Sequence, residues 1–145
     1  MNTTSEKAIE CFKNGYNCSQ SVFCSLSNFT GLDEDTSLKI ATAFGAGIGR
    51  NQKVCGAVTG AIMAIGMKHG MGLEGNKEAK EHACDLTNEF IAEFKRKHQE
   101  IGCLELIGAD MHTDEGNEKI EKENLFETRC ARFVIDAAEI AEGLM

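Results

Sequence analysis

Cysteine is the residue type in this sequence with the greatest capacity for chemistry, since the chain carries seven in 145 residues. In a reducing compartment such a count indicates packed thiols, metal ligands or redox groups, because structural disulfides are disfavoured there. The odd number also argues against a complete disulfide framework. The cysteines that indicate a function are therefore those whose positions differ from the positions of ordinary core residues.

Three cysteines stand where a helix is predicted to begin. Cys18 follows the predicted cap Asn17, Cys55 follows a glycine-rich loop, and Cys103 opens the short segment CLELIG. Free N–H groups and the helix dipole favour an anion at such a position, and a thiolate is the better nucleophile and metal ligand. We therefore expect these three thiols to ionise at a lower pH than those of Cys11, Cys24 and Cys84.

The other four cysteines have the spacing of core residues. Cys11, Cys24 and Cys84 lie on predicted amphipathic helices with apolar neighbours, and free cysteine is among the most buried residue types. Cys130 lies inside the last predicted helix, where spacing alone also favours the core. On the residues alone, all four are predicted to be structural.

The elements that must position these thiols are predicted to be helices, because apolar residues recur at helical spacing and proline is absent. Capping-box patterns at Thr3 and Asn17 open the first two helices, the second running to about Phe29. Further helices are predicted after Asp33, from Cys55 to about Lys68, from about Asn76 to Glu100, and from about Asn124 to Gly143. The acidic stretch 110–123 is expected to be a loop or a solvated helix.

These elements predict one all-α domain over residues 1–145, a compact bundle of about five to seven helices around a Gly/Ala-rich central helix. Gly56 and Gly60 are four residues apart in that helix, which is the spacing for a close helix crossing. A second copy of the chain could cover the same small-residue face. We therefore also expect a homodimer.

Several partners and cofactors are excluded by composition and motif. The net charge of −8 argues against nucleic acid, which requires clustered Lys and Arg. GAGIGR lacks both the G-x-G-x-x-G spacing and a Walker lysine, so no nucleotide is expected, and without C-x-x-C-H no haem is attached covalently. The longest apolar run is shorter than the ~20 residues of a membrane span. Without a signal peptide, a cytoplasmic location is expected.

Four segments together resemble a known family: NGYNCSQSV at 14–22, FGAGIGRNQKVCGAVTGAIMAIG at 44–66, CLELIG at 103–108, and the cysteine of the final helix. They are similar to the CGAxxG family (C_GCAxxG_C_C), whose members are described as redox-active and carry four characteristic cysteines. Carried over by position, the resemblance implies that Cys18, Cys55, Cys103 and Cys130 are the site residues. Cys11, Cys24 and Cys84 match nothing fixed in the family.

The resemblance leaves more than one chemistry open. The four thiols could form dithiol/disulfide pairs that exchange electrons with a redox partner protein, as an oxidoreductase or electron carrier. They could instead hold an iron–sulfur cluster. The alternatives are a zinc-binding or metal-storage module on the same cysteines, and a helical interaction domain whose cysteines only fill the core.

Overall fold

The computed structural model describes residues 2–145, and the helical prediction is confirmed: the chain is all-α and compact. Within that range nine α-helices follow one another: α1 (Thr4–Lys13), α2 (Cys18–Ser25), α3 (Ser27–Thr30), α4 (Glu34–Ala41), α5 (Gly56–His69), α6 (Lys77–His98), α7 (Cys103–Ile107), α8 (Asp114–Glu123) and α9 (Ala131–Gly143). A 3₁₀ turn at Thr42–Phe44 extends α4, and a π-helical turn at Phe126–Cys130 leads into α9.

The described residues contain more helices than predicted, because one predicted helix is divided and the segments 103–107 and 114–123 are helical. The helix expected from Asn17 to about Phe29 is divided at Leu26 (φ −96°, ψ 13°) into α2 and α3. Asn124 is left-handed (φ 51°) and ends α8, and the last predicted helix starts just after it with the π turn that leads into α9. The acidic stretch forms α8, whose start is capped by the Thr113 hydroxyl accepting from the Gly116 N–H.

Helix α5 is central, and it crosses α2 closely at its glycines, as predicted. A Cβ at Gly60 would lie 2.8 Å from the Ser19 carbonyl oxygen and 3.2 Å from the Phe23 nitrogen. One at Gly56 would lie 3.0 Å from the Ser19 nitrogen. Only glycine therefore permits this backbone separation.

The small residues of α5 are already buried by the rest of the same chain, among them Ala57, Ala61 and Ala64 at 0% exposure. A second copy is not needed to cover them. The small-residue face of α5 therefore gives no reason to expect a second copy of the chain. The homodimer stays a prediction. No helix in residues 2–145 is both long enough and apolar enough to cross a membrane.

Buried apolar residues form two clusters. The larger, called the main core below, includes the inner faces of α1, α2, α5, α6 and α9. The smaller, called the small cluster, consists of six residues between α7, α8 and the π turn: Cys103, Ile107, Ala109, Ile120, Leu125 and Cys130. Phe12 and Cys18 pack against both clusters. The junction of the two clusters is where the site residues are found.

Candidate functional site

The four cysteines named from the sequence line a single cavity of about 450 Å³. Cys55 belongs to the main core, Cys103 and Cys130 belong to the small cluster, and Cys18 contacts both. The tertiary structure therefore brings together four residues from distant parts of the chain. Cys130, which spacing alone assigned to the core, is buried but also faces this cavity.

Three of these cysteines occupy helix starts, as predicted. Cys18 is the first residue of α2, and Asn17 before it forms a full capping box in which its side chain accepts from the Gln20 N–H at 2.9 Å. Cys55 is the N-cap residue of α5, and Cys103 is the first residue of α7. Cys130 closes the π turn, a type of helical irregularity that is frequent at functional sites.

Cys55 and Cys103 are held near each other by a short antiparallel bridge between Val54 and Gly102. The Cys55 N–H donates to the Ile101 carbonyl at 2.7 Å, and the Cys103 N–H donates to the Lys53 carbonyl at 2.6 Å. Each cysteine is one residue beyond the bridged pair, and side chains alternate along extended backbone. Both thiols therefore leave the bridge on the same face.

Cys18 and Cys130 are neighbouring thiols: Cys18 packs against the small cluster that contains Cys130, and both line the cavity. The side-chain interaction with Cys130 is the largest cause raising the pKa of Cys18 well above its ordinary value, and burial adds to it. The raised pKa keeps the proton on Cys18. On the other side of Cys18, a Cβ at Gly56 would lie 3.2 Å from the Cys18 Cβ. The glycine therefore leaves room for the Cys18 side chain.

The expectation that the helix-start thiols ionise more readily is wrong. Burial raises the pKa of Cys55 above the usual range, and it raises the pKa of Cys103 to about 11, the same value as for Cys24. The N–H groups of Ala57 and Val58 at the start of α5 do lower the pKa of Cys55. Loss of hydration outweighs these two N–H groups, because moving a thiolate from water into an apolar cavity costs more free energy than two N–H donors restore.

One wall of the cavity is a left-handed turn that the sequence did not predict. Five consecutive residues, Ala46 to Arg50, have φ between 51° and 72°. Left-handed backbone costs a residue other than glycine roughly 1–2 kcal/mol, and Ile48 is β-branched, which makes it the least suited of the five. Ala46 and Arg50 line the cavity. Backbone strain of this kind is concentrated at functional sites.

Gln52 fastens the end of this turn to the small cluster. It is 5% exposed, its side-chain amide donates to the Ala109 carbonyl at 2.9 Å, and its Oε1 accepts from the Met111 N–H at 2.8 Å. Gln52 also lies close enough to Cys103 to lower the pKa of that thiol against the effect of burial. Nothing in the sequence singles out Gln52.

Arg129 is a second positioning residue that the sequence did not reveal. Its guanidinium donates to the Ile107 carbonyl at 2.6 Å, at the last turn of α7. Carbonyls at a helix end have no partner within the helix, so a side-chain donor there fixes the helix in place. Because Arg129 precedes Cys130 in the π turn, this bond ties the helix that begins at Cys103 to the turn that carries Cys130.

The rest of the cavity lining is mainly apolar and includes Leu106, Met111 and Phe133. Tyr16 and Phe126 also line it and are 39% and 43% exposed, so they mark its solvent side. A cavity of this size and polarity suits a small apolar group or one side chain of a partner.

Across residues 2–145, no group of three or more His, Cys, Asp or Glu side chains is placed to hold a metal ion. A zinc or iron–sulfur site requires its thiolates to surround one centre, and the four cysteines are not arranged in that way. The site as arranged does not fit either metal group.

The three remaining cysteines do not all pack as predicted. Cys84 is exposed, which contradicts its expected core position, because it lies on the outer face of α6. Cys11 and Cys24 are only partly buried. Neither of these two faces the cavity of about 450 Å³.

Comparison with known proteins gives one match. A family model described as "Putative redox-active protein (C_GCAxxG_C_C)" matches residues 16–144. None of the curated proteins or solved structures compared with the chain matches it. The matched region is nearly the whole chain and includes the four cavity cysteines. The chain therefore belongs to the C_GCAxxG_C_C family, whose description names redox activity.

Proposed function

We propose that this protein is a dithiol–disulfide redox protein whose working pair is Cys18 and Cys130. The observation that supports this most directly is that these two thiols lie side by side, and interact, within a cavity lined by two further cysteines. A pair of thiols in contact can be converted into a disulfide with little movement of the backbone. In a reducing cytoplasm, the location we propose, the resting form is the dithiol.

The reaction is exchange with a disulfide on a partner protein. The Cys130 sulfur, as a thiolate, attacks one sulfur of the partner disulfide, the partner S–S bond breaks, and one partner thiol leaves. Cys18 then releases its proton and attacks the Cys130 sulfur of the mixed disulfide, expelling the second partner thiol. The partner gains two electrons and two protons, and Cys18 and Cys130 lose both.

Each sulfur has a role that follows from its surroundings. Cys18 keeps its proton until the mixed disulfide forms, because its pKa is raised, which suits it to the second, resolving step. Its charge also raises the pKa of Cys55 and of Cys103, so all three sulfurs lie close enough to interact. We assign Cys55 and Cys103 the transfer of the disulfide: either attacks the Cys18 sulfur and releases Cys130 as a thiol.

The test is reduction of a small disulfide, without oxygen, by a fully reduced parent protein in which Cys11 and Cys24 are replaced by alanine, so that only the cysteines of this cavity and Cys84 can react. Cys18→Ser and Cys130→Ser should each lose the ability to release both product thiols, whereas Cys84→Ser, on an exposed helix face, should match the parent. Cys18→Ser should in addition trap the mixed disulfide on Cys130, visible by mass spectrometry. Should both cavity variants react as the parent does, with a Cys18–Cys130 disulfide absent from the oxidised parent, the proposal is wrong.

A further inference from the structure

A second pair of cysteines lines a different cavity. Cys11 and Cys24 both face a space of about 360 Å³ where α1 and α2 meet, near Glu34 at the start of α4. Tyr16 lines this cavity and also the cavity of about 450 Å³ that holds the other four cysteines. The two spaces are therefore neighbours separated by one aromatic side chain.

Helices α1 and α2 place the two thiols at the same cavity. The Ser21 hydroxyl of α2 lies close enough to the Cys11 thiol of α1 to lower its pKa. Cys24 lies three residues after Ser21 on α2, and residues at that spacing share one face of a helix. Cys24 therefore projects toward the same side of α2 as the residue that contacts Cys11. The electrostatic effect of Cys11, which raises the pKa of Cys24, also indicates that the two thiols are close.

The surroundings of this pair favour a neutral form over two thiolates. Glu10 and Glu34 line the cavity beside the two cysteines, with Lys7 as its basic residue. Burial raises the pKa of Cys11 and raises that of Cys24 to about 11, and the charge of Glu34 adds to both. A disulfide carries no charge, so it meets neither the burial penalty nor the repulsion from the carboxylates.

We propose that Cys11 and Cys24 form a second dithiol/disulfide site, which takes low-molecular-weight disulfides as oxidants and works independently of the four-cysteine cavity. One thiol, as a thiolate, attacks the small disulfide, forming a mixed disulfide and releasing one small thiol. The other thiol attacks the bound sulfur and expels the second small thiol. The small disulfide is reduced by two electrons, and the two protons leave with its thiols.

Both thiols of this site are partly exposed, whereas three of the four thiols of the other cavity are buried. Cys11 and Cys24 are intermediate in exposure, as is Cys18, whereas Cys55, Cys103 and Cys130 are buried. Cys84 is exposed, but no second cysteine lines the shallow cavity beside it. Cys84 therefore serves as an internal comparison: a thiol that can form a mixed disulfide and has no neighbour to resolve it.

The test is equilibration of the reduced full-length protein with mixtures of reduced and oxidised glutathione, followed by acid quenching and differential alkylation. Digestion after aromatic residues cuts at Phe12, Tyr16 and Phe23, which places Cys11, Cys18 and Cys24 on separate peptides. We expect a Cys11–Cys24 linked peptide, with both cysteines oxidised to the same fraction at every glutathione ratio. Cys84 should carry only glutathione.

Two variants test whether Cys11 and Cys24 pair with each other and whether they need the other cavity. In Cys24→Ala the linked peptide should disappear, and Cys11 should carry glutathione instead. In Cys18→Ala the Cys11–Cys24 disulfide should form as in the parent, which separates this proposal from the function proposed for the deeper cavity. The proposal is overturned if Cys11 and Cys24 stay reduced while Cys84 reacts, or if both carry glutathione without linking. Circular dichroism of each variant checks that its helices are intact.

Discussion

The main core and the small cluster are held together by different kinds of contact. The main core is built on close backbone contact, where glycines of α5 meet α2 with no side chain between them. The small cluster instead depends on polar side chains that reach backbone groups, from Gln52 to Ala109 and Met111 and from Arg129 to Ile107. The first arrangement is rigid, whereas the second can give way when a single side chain moves.

The four-cysteine cavity lies where these two regions meet, so its two sides differ in how firmly they are held. Cys18 and Cys55 begin the two helices of the close crossing, while Cys103 and Cys130 belong to the small cluster. The π turn before α9 and the left-handed turn 46–50 lie on the less regular side. Changes in sulfur positions during disulfide exchange are therefore expected in Cys103 and Cys130.

The largest expected effect comes from filling the close crossing. Gly60→Leu places a side chain against the Ser19 carbonyl, so the free energy of unfolding in urea should fall by at least about 2 kcal/mol. Gly66→Leu on the same helix is the matched control, because a Cβ there meets nothing within 4 Å. A Gly60→Leu protein as stable as Gly66→Leu would contradict the close crossing.

A smaller effect is expected from removing the polar tie of the small cluster. Gln52→Ala leaves the Ala109 carbonyl and the Met111 N–H without their partner, which should cost about 1–2 kcal/mol. Alkylation of Cys103 should also become faster, because loosening the cluster exposes this buried thiol, and we expect that to outweigh the loss of the Gln52 interaction that lowers its pKa. Asn51→Ala is the control, because Asn51 is exposed and its side chain bonds only the nearby Ile48 carbonyl. Equal alkylation rates in both variants would show that Gln52 does not hold the cluster.

Alkaline pH should weaken the folded state through the buried thiols. An unfolded thiol ionises near pH 8.5–9, whereas burial raises the pKa of Cys103 to about 11 in the folded protein. The contribution of the neutral Cys103 thiol to the free energy of unfolding is therefore complete below about pH 9. It is lost as the pH rises toward 11. In urea unfolding with reductant, the stability of the parent relative to Cys103→Ala should fall over this range. A difference that stays constant or grows would mean that the thiol is not buried as described.

The smallest expected effect reports on backbone strain beside the cavity. Ile48→Gly relieves left-handed strain of roughly 1–2 kcal/mol and loses part of this gain to the freedom of glycine in the unfolded chain. The net expectation is a gain of about 0.5 kcal/mol in thermal or urea unfolding. Ile40→Gly, an equally exposed isoleucine in right-handed α4, should instead cost about 0.5 kcal/mol. The same sign for both would argue against the left-handed turn.

Local signals made the helices and their starts predictable. Asn17, Asp33 and Asn76 each accept a hydrogen bond from an N–H three residues later, so each cap is determined by neighbours in sequence. The four-residue spacing of Gly56 and Gly60 likewise predicted a crossing. The division at Leu26 and the π turn at Phe126–Cys130 could not be predicted, because packing between helices decides such breaks.

The exposure and ionisation of single thiols were less predictable. Cys84 has the spacing of a core residue yet is exposed, since periodicity identifies a helix face but not whether another element covers it. The helix starts of Cys18, Cys55 and Cys103 correctly suggested favourable N–H groups. They gave no measure of burial or of neighbouring thiols. Cys130 beside Cys18, and burial of Cys55 and Cys103, reversed the direction of the pKa shift for these thiols.

The sequence by itself determined that the chain is helical, where its capped helices begin, and, through its resemblance to a family, which four cysteines belong together. Only the tertiary structure decided that these four line one cavity, that Cys18 lies beside Cys130, and that Cys11 and Cys24 share a second cavity. The physical reason is the distance along the chain over which each interaction acts. Caps and helical periodicity act over three or four residues, whereas contacts between sulfurs and the loss of their hydration depend on how distant helices pack.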